Sequence, residues 1–277
     1  MPVFIASLNS GSNGNCYYVG NENDAILVDV GLSCKEVEKR MDRLGLDIHR
    51  LRAIFISHEH TDHISGLAVT ANKYGLPVYI TGKTFQNAGI RLRTELVVSF
   101  NAESPVFVGN LSVKAFQKQH DACDPHSFVI SSSCGISIGV FTDIGKPCKE
   151  LVYHFNKCHA AFLESNYDEA MLMNGKYPYF LKNRIRGGQG HLSNSQALKL
   201  FLEHRSSFMS HLLLSHLSKE NNCPKLVADL FRSYAADTNI IVASRDKETP
   251  VFEIKENGME PGIRSIHSQH QRQLSLF

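Results

Sequence analysis

The sequence predicts an α/β (α+β) protein built as an αββα sandwich, with a single domain at residues 1–254 and a flexible tail at residues 255–277. Short apolar segments rich in β-branched and aromatic residues occur in both halves of the chain, which indicates two strand-rich halves. Segments with helical spacing separate the later strands, so helices are expected on the outside. From about Lys255 the composition changes to Gly, Pro, Ser, Gln and His, which is typical of a flexible segment.

The predicted strands are short and are separated by turn-forming residues. They comprise residues 3–8, 16–19, 25–28, 53–56, 78–80, 96–100, 106–108, 111–116, 128–131, 136–141, 160–163, 212–215 and 240–242. The loop at residues 9–15 contains Gly11 and Gly14, which permit positive φ.

Four helices are predicted between these strands. Ser33 is a candidate N-cap because Glu36 follows three residues later, and this helix should reach about Leu44. The other three are expected at about residues 169–173, 193–204 and 224–235.

The most specific motif is the segment Ser-His-Glu-His-Thr-Asp-His at residues 57–63, directly after a predicted strand. A turn at the edge of a sheet allows His58 and His60 to point one way while Asp62 and His63 point another. Neutral imidazoles and carboxylates suit zinc, with iron or manganese as alternatives. This spacing is far more specific than a single histidine, so we expect a metal site that holds two divalent ions.

Three further candidate ligands stand just after predicted strands. His120 follows the strand at 111–116, Asp143 follows the strand at 136–141, and His216 follows the strand at 212–215. Each one alone is a weak signal, but their order and their position at strand ends are consistent with one shared site.

The His-x-His-x-Asp-His spacing resembles the signature of the metallo-β-lactamase fold. This resemblance implies that His58, His60 and His120 bind the first ion. It also implies that Asp62, His63 and His216 bind the second ion and that Asp143 bridges the two. Asp29, in an Asp-x-Gly turn, is expected to orient the loop that carries His60 from behind the ligands.

Other segments resemble a narrower family, the WalJ (YycJ) group of bacterial metallo-hydrolases, over about residues 3–245. They lie at residues 7–15, 164–168, 190–194 and 216–222. The resemblance implies 5′-to-3′ exonuclease action on double-stranded DNA in replication or repair. Tyr167 stands where the family commonly has histidine, and His126 stands where glycine is usual, so contacts made by that family histidine are not carried over.

The expected chemistry is phosphodiester hydrolysis, in which a hydroxide that bridges two metal ions attacks phosphorus. Asp62 and Asp143 take part as ligands in the catalytic centre. By resemblance to tRNase Z, Glu164 and His191 would form a pair in which His191 acts on the leaving group or on phosphate and Glu164 orients it. The alternative for His191 is that it caps the helix that begins near Ser193.

Composition is consistent with a cytoplasmic enzyme. No segment reaches the roughly 18 apolar residues of a membrane helix, and the first residues lack the basic region of a signal peptide. The seven cysteines lack a Cys-x-x-Cys pair and are expected to be reduced thiols, with Cys123 as a loop residue rather than a ligand. The net charge of +2 does not by itself indicate that the protein binds a polyanion such as nucleic acid. The basic residues at 91–93 and 182–186 therefore have two interpretations: they form a solvated surface, or they contact phosphates.

The last five residues, Gln273 to Phe277, resemble the peptide with which bacterial replication proteins bind the β sliding clamp. Leu274, Leu276 and Phe277 would anchor in an apolar pocket, and tethering would raise the effective concentration on DNA. The alternative is that this apolar end packs on its own domain.

Four functions remain open from the sequence. The favoured one is a clamp-recruited DNA exonuclease, and the nearest rival is an RNA-processing nuclease similar to tRNase Z. A small-substrate hydrolase is disfavoured, because residues 117–121 lack the Gly-His turn expected of a thioesterase. The fourth is a regulatory protein, for which metal removal would leave binding intact.

Overall fold

A computed structural model describes residues 2–102 and 104–255. Within them the strands are β1 (Val3–Asn9), β2 (Cys16–Gly20), β3 (Ala25–Val28), β4 (Leu51–Phe55), β5 (Val78–Tyr79), β6 (Val97–Val98), β7 (Val106–Val108), β8 (Leu111–Gln117), β9 (His126–Ser132), β10 (Ser137–Phe141), β11 (Ala160–Glu164), β12 (His211–Ser215), β13 (Asn239–Val242) and β14 (Phe252–Ile254). The α-helices are α1 (Cys34–Arg43), α2 (Thr61–Ile64), α3 (Leu67–Tyr74), α4 (Gly82–Ala88), α5 (Lys149–Phe155), α6 (Glu169–Asn174), α7 (Tyr179–Arg186), α8 (Asn194–His204) and α9 (Pro224–Arg232). Two single turns of 3₁₀ helix occur at Ile48–Arg50 and Thr94–Leu96.

The strands form two seven-stranded sheets with the same plan. The first has the order β14-β1-β2-β3-β4-β5-β6 and the second the order β13-β12-β11-β10-β9-β8-β7. In each sheet antiparallel pairs give way to a block of parallel strands, β3 to β6 in the first and β10 to β13 in the second. Both parallel blocks therefore have their carboxyl ends along one edge, where ligands commonly bind in such sheets.

The main core lies between the two sheets. Tyr17 of the first sheet packs on Phe162 of the second, with ring centroids 4.9 Å apart. Phe55 and Phe128 make a second contact across the layers at 5.7 Å. Separate apolar clusters cover the outer face of each sheet, under α1 and α3 on one side and under α5, α8 and α9 on the other. The αββα sandwich predicted from the sequence is thus confirmed.

Local signals explain where several helices begin. Ser33 caps α1 by accepting a hydrogen bond from the backbone N–H of Glu36, as predicted. Ser193 caps α8 in a capping box with Gln196, so capping is not the role of His191.

Some elements were not predicted from the sequence. The segment that carries Asp62 and His63 is not only a turn, because residues 61–64 form the short helix α2. The helices α3, α4, α5 and α7 and the edge strand β14 were also missed. The predicted flexible tail and the peptide from Gln273 to Phe277 lie outside the described residues, apart from Lys255.

No helix in the described part of the chain has both the length and the apolar character needed to cross a membrane. All seven cysteines are free thiols, as expected.

The inter-sheet core should dominate stability. Replacing the fully buried Phe128 with Ala removes contacts to both sheets and should lower the free energy of unfolding by about 3–5 kcal/mol. Phe107→Ala, at a side chain that is 73% exposed on β7, is the matched control and should change it by about 0.5 kcal/mol or less. Urea unfolding of both variants measures the difference, and equal losses would contradict this placement of the core.

Candidate metal centre

Three histidines meet beside the end of β4. His58 and His60 lie in the loop after this strand, and His120 follows β8. His58 Nε2 is 3.0 Å from His60 Nδ1, and the His120 ring lies 4.9 Å from His58 and 5.2 Å from His60 between centroids. One nitrogen from each ring falls within 4.8 Å of the others, so this first triad can hold one metal ion.

A second triad forms next to the first. Asp62 and His63 come from α2, and His216 follows β12 of the other sheet. Asp62 Oδ2 lies 3.5 Å from His63 Nε2 and 3.4 Å from His216 Nε2. These three donors also lie within 4.8 Å of one another.

The Asp143 carboxylate lies between the two triads. Its Oδ2 is 3.1 Å from His63 Nε2, and its Oδ1 is 3.8 Å from His120 Nε2 and 3.5 Å from His216 Nδ1. The side chain is 98% shielded from solvent. The structure therefore brings together all seven ligands proposed from the sequence, with Asp143 in contact with both groups.

Three residues that follow parallel strands in this site adopt left-handed backbone conformations. The φ angles of Asp29, Asp143 and His216 are 59°, 55° and 57°. This region is costly for residues other than glycine, and such strain is commonly kept where it orients functional groups. Here it turns each side chain from the end of its strand toward the site.

The hydrogen bonds leave metal-binding atoms without protein partners. His120 Nδ1 donates to the carbonyl of Gly190 at 3.0 Å, so Nε2 carries the lone pair; this nitrogen is buried and accepts nothing. Asp143 Oδ2 is likewise buried, and the His63 Nε2 atom 3.1 Å away does not donate to it when the His63 proton is on Nδ1, where it bonds Asp29. Buried orphan atoms of this kind are costly unless a cation binds them, so the donor set fits a divalent metal.

Asp29 fixes the orientation of ligands from behind the site. It accepts the backbone N–H and the hydroxyl of Ser57, both at 2.8 Å, and the Nδ1–H of His63 at 2.7 Å. The Ser57 oxygen in turn accepts from His58 Nδ1 at 2.9 Å. Asp29 thus presents Nε2 of both His58 and His63 to the site. Ser57 and His63 flank His60 in the sequence, so Asp29 holds the loop that carries His60 at both of its ends, in agreement with the expectation from the sequence.

Asn15 was missed by the sequence reasoning. Its side-chain amide donates to Asp62 Oδ2 at 3.1 Å, and its backbone N–H donates to the Asp62 carbonyl at 2.7 Å. Tyr17 holds the amide oxygen at 3.1 Å, and the Ser10 hydroxyl beside Tyr17 accepts the backbone N–H of His216 at 2.7 Å. The loop at residues 9–15 therefore supports the second triad, which its polar, glycine-containing composition alone does not reveal.

Glu164 and His191 form a buried pair at the edge of the site. His191 Nδ1 donates to Glu164 Oε1 at 2.7 Å, and His216 Nδ1 lies 3.1 Å from the same oxygen. The other oxygen, Oε2, accepts the backbone N–H groups of Ile144 and Leu192. Asp143, Glu164, His191 and His216 also form a group of potential metal donors, although Glu164 already accepts several hydrogen bonds within the protein.

The electrostatics of the two triads differ. Burial lowers the pKa of His58 well below its ordinary range and lowers the pKa of His120 to about 4, so both are neutral, as metal ligands must be. Burial would also lower the pKa of His216, but Asp143, Asp62 and Glu164 outweigh it and raise the pKa to about 10. The second triad therefore requires positive charge, which comes from protons or from a metal.

The carboxylates show the complementary effect. Burial would raise the pKa of Asp143, but His216 and His63 outweigh it and lower the pKa well below its usual range. Burial opposes ionisation of Glu164 too, yet His191 and His216 lower its pKa to about 2. Lys118 is buried beside these carboxylates, and its Nζ donates to the Thr142 carbonyl at 2.7 Å. Burial lowers the pKa of Lys118, and Asp143 and Asp29 oppose this shift.

Tyr167 and His126, the two residues that differ from the family pattern, are both buried. Tyr167 is buried, and its carbonyl accepts the backbone N–H of Asn194. His126 is buried at the start of β9, and its backbone N–H donates to the Ser57 carbonyl next to the metal loop. Cys123 donates through its backbone N–H and its thiol to Glu59, which is consistent with a loop residue.

A cavity of about 210 Å³ opens beside the second triad. Its lining includes His191 and His216, together with Ser12, Asp121, Asn166, Tyr177, Leu181, Arg184, Ile185, Gly190, Leu217 and Ser218. His191 and His216 of the second triad are therefore both accessible from the same cavity.

The fold and the donor set define a metal-dependent hydrolase of the metallo-β-lactamase superfamily, whose family model matches residues 10–89. The chain is 33% identical to exodeoxyribonuclease YycJ of Bacillus anthracis over 82% of this chain and 86% of that protein. It is 31% identical to exodeoxyribonuclease WalJ of Streptococcus pneumoniae serotype 2, strain D39, over 89% of this chain and 96% of that protein. The chain belongs to the family of these YycJ and WalJ exodeoxyribonucleases.

Among solved structures, the metallo-β-lactamase fold protein YhfI from Bacillus subtilis superimposes with a TM-score of 0.69. The match covers 91% of this chain and 100% of that one at 16% identity, so it supports the fold alone.

Removing the acceptor behind the ligands should weaken metal binding. In Asp29→Asn one of the two acceptor oxygens becomes an NH₂ group, so the side chain cannot accept both the Ser57 backbone N–H and the Nδ1–H of His63. One of these donors then faces another donor, the ligands lose their fixed orientation, and metal affinity should fall about 10- to 100-fold. Competition with a chromophoric chelator measures the affinity. Asp24→Asn, at a carboxylate that pairs with Arg52 outside the site, is the control, and equal affinities in both variants would contradict the role of Asp29.

The metal-free protein should lose stability as pH rises. The pKa of His216 is about 10 in the folded protein, while an unfolded histidine titrates near 6.5, so the stabilisation is complete below about pH 6.5 and disappears toward pH 10. Urea unfolding of chelator-treated protein between pH 6 and pH 10 measures this slope. His216→Asn should reduce the slope and leave the part that comes from His63, whose pKa burial would lower but Asp143 and Asp29 raise. An unchanged slope in this variant would exclude His216 as a source.

Proposed function

We propose that this protein is a 5′-to-3′ exonuclease that hydrolyses double-stranded DNA with two divalent metal ions, zinc in preference to manganese or iron. The observation that carries the proposal is the pair of adjacent triads joined by Asp143, open to a cavity that also exposes His191. The relatives named exodeoxyribonucleases align over nearly the whole chain, which supports DNA as the substrate.

The donor set favours two ions. His58, His60 and His120 supply three imidazole nitrogens, a set that zinc binds in hydrolytic sites. Asp62, His63 and His216 supply a second, more anionic set, and Asp143 supplies oxygens to both. Two adjacent divalent ions would lower the pKa of a water molecule and neutralise charge on a phosphodiester.

The protein side chains provide the remaining proton chemistry. His191 Nδ1 donates to Glu164, so the Nε2 atom is the one available to substrate in the cavity. The Glu164 carboxylate stabilises positive charge on this ring, which allows His191 Nε2 to give a proton to the leaving alkoxide oxygen. Glu164 is held by two backbone N–H groups, so it orients His191 and does not itself contact the substrate.

Substrate digestion tests this proposal. Metal-loaded protein should remove nucleotides from the 5′ end of phosphorylated duplex DNA, and His191→Gln should lower kcat about 10²- to 10⁴-fold while metal content stays unchanged. Asp143→Ala is the control that should lose both metal and hydrolysis. Parallel reactions contain single-stranded DNA and precursor tRNA. Cleavage of RNA alone, or of none of these substrates, would contradict a DNA exonuclease.

We also propose that the last five residues recruit the protein to the bacterial β sliding clamp. The support is the sequence of this peptide, which lies outside the described residues, and its combination with a nuclease site. Deletion of Gln273 to Phe277 should abolish clamp association in surface plasmon resonance and leave hydrolysis of short duplexes unchanged. If the deletion stops hydrolysis instead, the peptide belongs to the folded domain and recruitment is excluded.

A further inference from the structure

A series of buried hydrogen bonds connects the two sheets behind the second triad. It begins at the backbone N–H of His216, which donates to the Ser10 hydroxyl at 2.7 Å. Ser10 Oγ lies 2.8 Å from the Tyr17 hydroxyl, which lies 3.1 Å from Asn15 Oδ1. The Asn15 amide nitrogen completes the series by donating to Asp62 Oδ2 at 3.1 Å. We name Ser10, Tyr17 and Asn15 the Tyr17 network; it joins two proposed ligands that follow strands of opposite sheets.

The direction of hydrogen bonding in the Tyr17 network is fixed at both ends. The Asp62 carboxylate accepts, so the NH₂ group of Asn15 faces it and the amide oxygen faces Tyr17. A carbonyl oxygen cannot donate, so the Tyr17 hydroxyl gives its proton to Asn15 and accepts the proton of Ser10. Ser10 in turn accepts the backbone N–H of His216. Because the bonds polarise one another in a single direction, the loss of one member disturbs the others.

The Tyr17 network is shielded from water. Ser10 is 1% exposed, and Asn15 and Tyr17 are fully buried. Burial raises the pKa of the Tyr17 hydroxyl well above its ordinary value, so this group keeps the proton that it donates. Removing a partner from a buried polar group leaves that group desolvated and unpaired, which makes these bonds more important than the same bonds at the surface.

The sandwich core holds the Tyr17 network in place. The Tyr17 ring packs on Phe162 of β11, with centroids 4.9 Å apart. The backbone N–H of Ser10 donates to the Ser244 carbonyl, beyond the end of β13, at 3.0 Å. The two hydroxyl groups therefore have fixed positions relative to both sheets.

Other groups hold the first triad. The Ser57 hydroxyl accepts from His58, and the Gly190 carbonyl accepts from His120. The Asn15 amide nitrogen lies 3.1 Å from His63 Nε2 as well as from Asp62. Among the hydrogen bonds of the described residues, those of the Tyr17 network thus reach the second triad and not the first.

We propose that Ser10 and Tyr17 are positioning residues that fix the distance between Asp62 and His216 and thereby set the affinity of the second metal ion separately from the first. This inference rests on the proposed function, which places two ions in the site, and deepens it by assigning control of one of them. Without the two hydroxyls, each ligand keeps its place only through its own sheet, and the second ion binds more weakly.

Zinc titration of the full chain, followed by native mass spectrometry, counts the ions bound at each concentration. Tyr17→Phe keeps the ring in the core and removes only the hydroxyl, so the second ion should bind about tenfold more weakly while the first is unchanged. Tyr18→Phe is the matched control, because Tyr18 is the next residue of β2, is also buried and belongs to the apolar cluster on the outer face of the sheet. This control should bind both ions as wild type does.

A second variant tests whether the two hydroxyls act together. Ser10→Ala removes the acceptor of the His216 backbone N–H and should weaken the second ion at least as much as Tyr17→Phe. The double variant should be no weaker than Ser10→Ala alone, because either substitution interrupts the same series of bonds. If the two effects multiply instead, the hydroxyls act independently and the inference is wrong.

The remaining outcomes separate this inference from the proposed function. If wild type binds two ions and Tyr17→Phe binds both with unchanged affinity, the inference is wrong and the proposed function stands. Tighter binding of the second ion by Tyr17→Phe would mean that the Asn15 amide competes with the ion, which also overturns the inference. If both ions weaken together with stability in urea, Tyr17 serves the fold alone and the inference fails. If wild type binds a single ion, the proposed function fails as well.

Discussion

The buried Asp143 carboxylate is the group on which the rest of the site depends. It lies in contact with His63, which the first sheet supplies, and with His120 and His216, which the second sheet supplies. Asp29 and Glu164 add two more fully buried carboxylates nearby. So much negative charge removed from water is unfavourable without compensation, so the site requires cations. The same need for positive charge raises the pKa of His216, which lies beside carboxylates, and lowers the pKa of Glu164, which lies beside histidines.

The architecture explains how these groups come together. Each sheet has a block of parallel strands, and the carboxyl ends of both blocks lie along the same edge of the sandwich. Ligands from distant parts of the sequence can then meet without long loops. The left-handed conformations of Asp29, Asp143 and His216 add strain at these ends, and the rigid inter-sheet core maintains it. Stability and metal chemistry are thus linked through the same strands.

The sequence predicted the sandwich and the positions of the seven proposed ligands, because apolar periodicity and the motif at residues 57–63 are local signals. It did not predict α2, since a four-residue helix is too short for a periodic pattern and depends on tertiary contacts. It also missed Asn15, because the hydrogen bond to Asp62 spans 47 residues of sequence and no local pattern reports it. The individual hydrogen-bond partners of Asp29 could not be predicted for the same reason: the neighbours of a strand end depend on the sheet register.

Different elements of the fold supply different parts of the proposed site. In the proposed function the residues at the strand ends would hold the metal ions, and His191, oriented by Glu164, would supply the proton. Helix α7 lines the cavity beside them through Leu181, Arg184 and Ile185. The central claim, that Asp143 joins two separate metal sites, is tested most directly by native mass spectrometry of protein titrated with zinc. The account predicts two ions per chain in wild type and one in each of His60→Ala and His216→Ala. A single ion in wild type, or the same number in all three proteins, would contradict it.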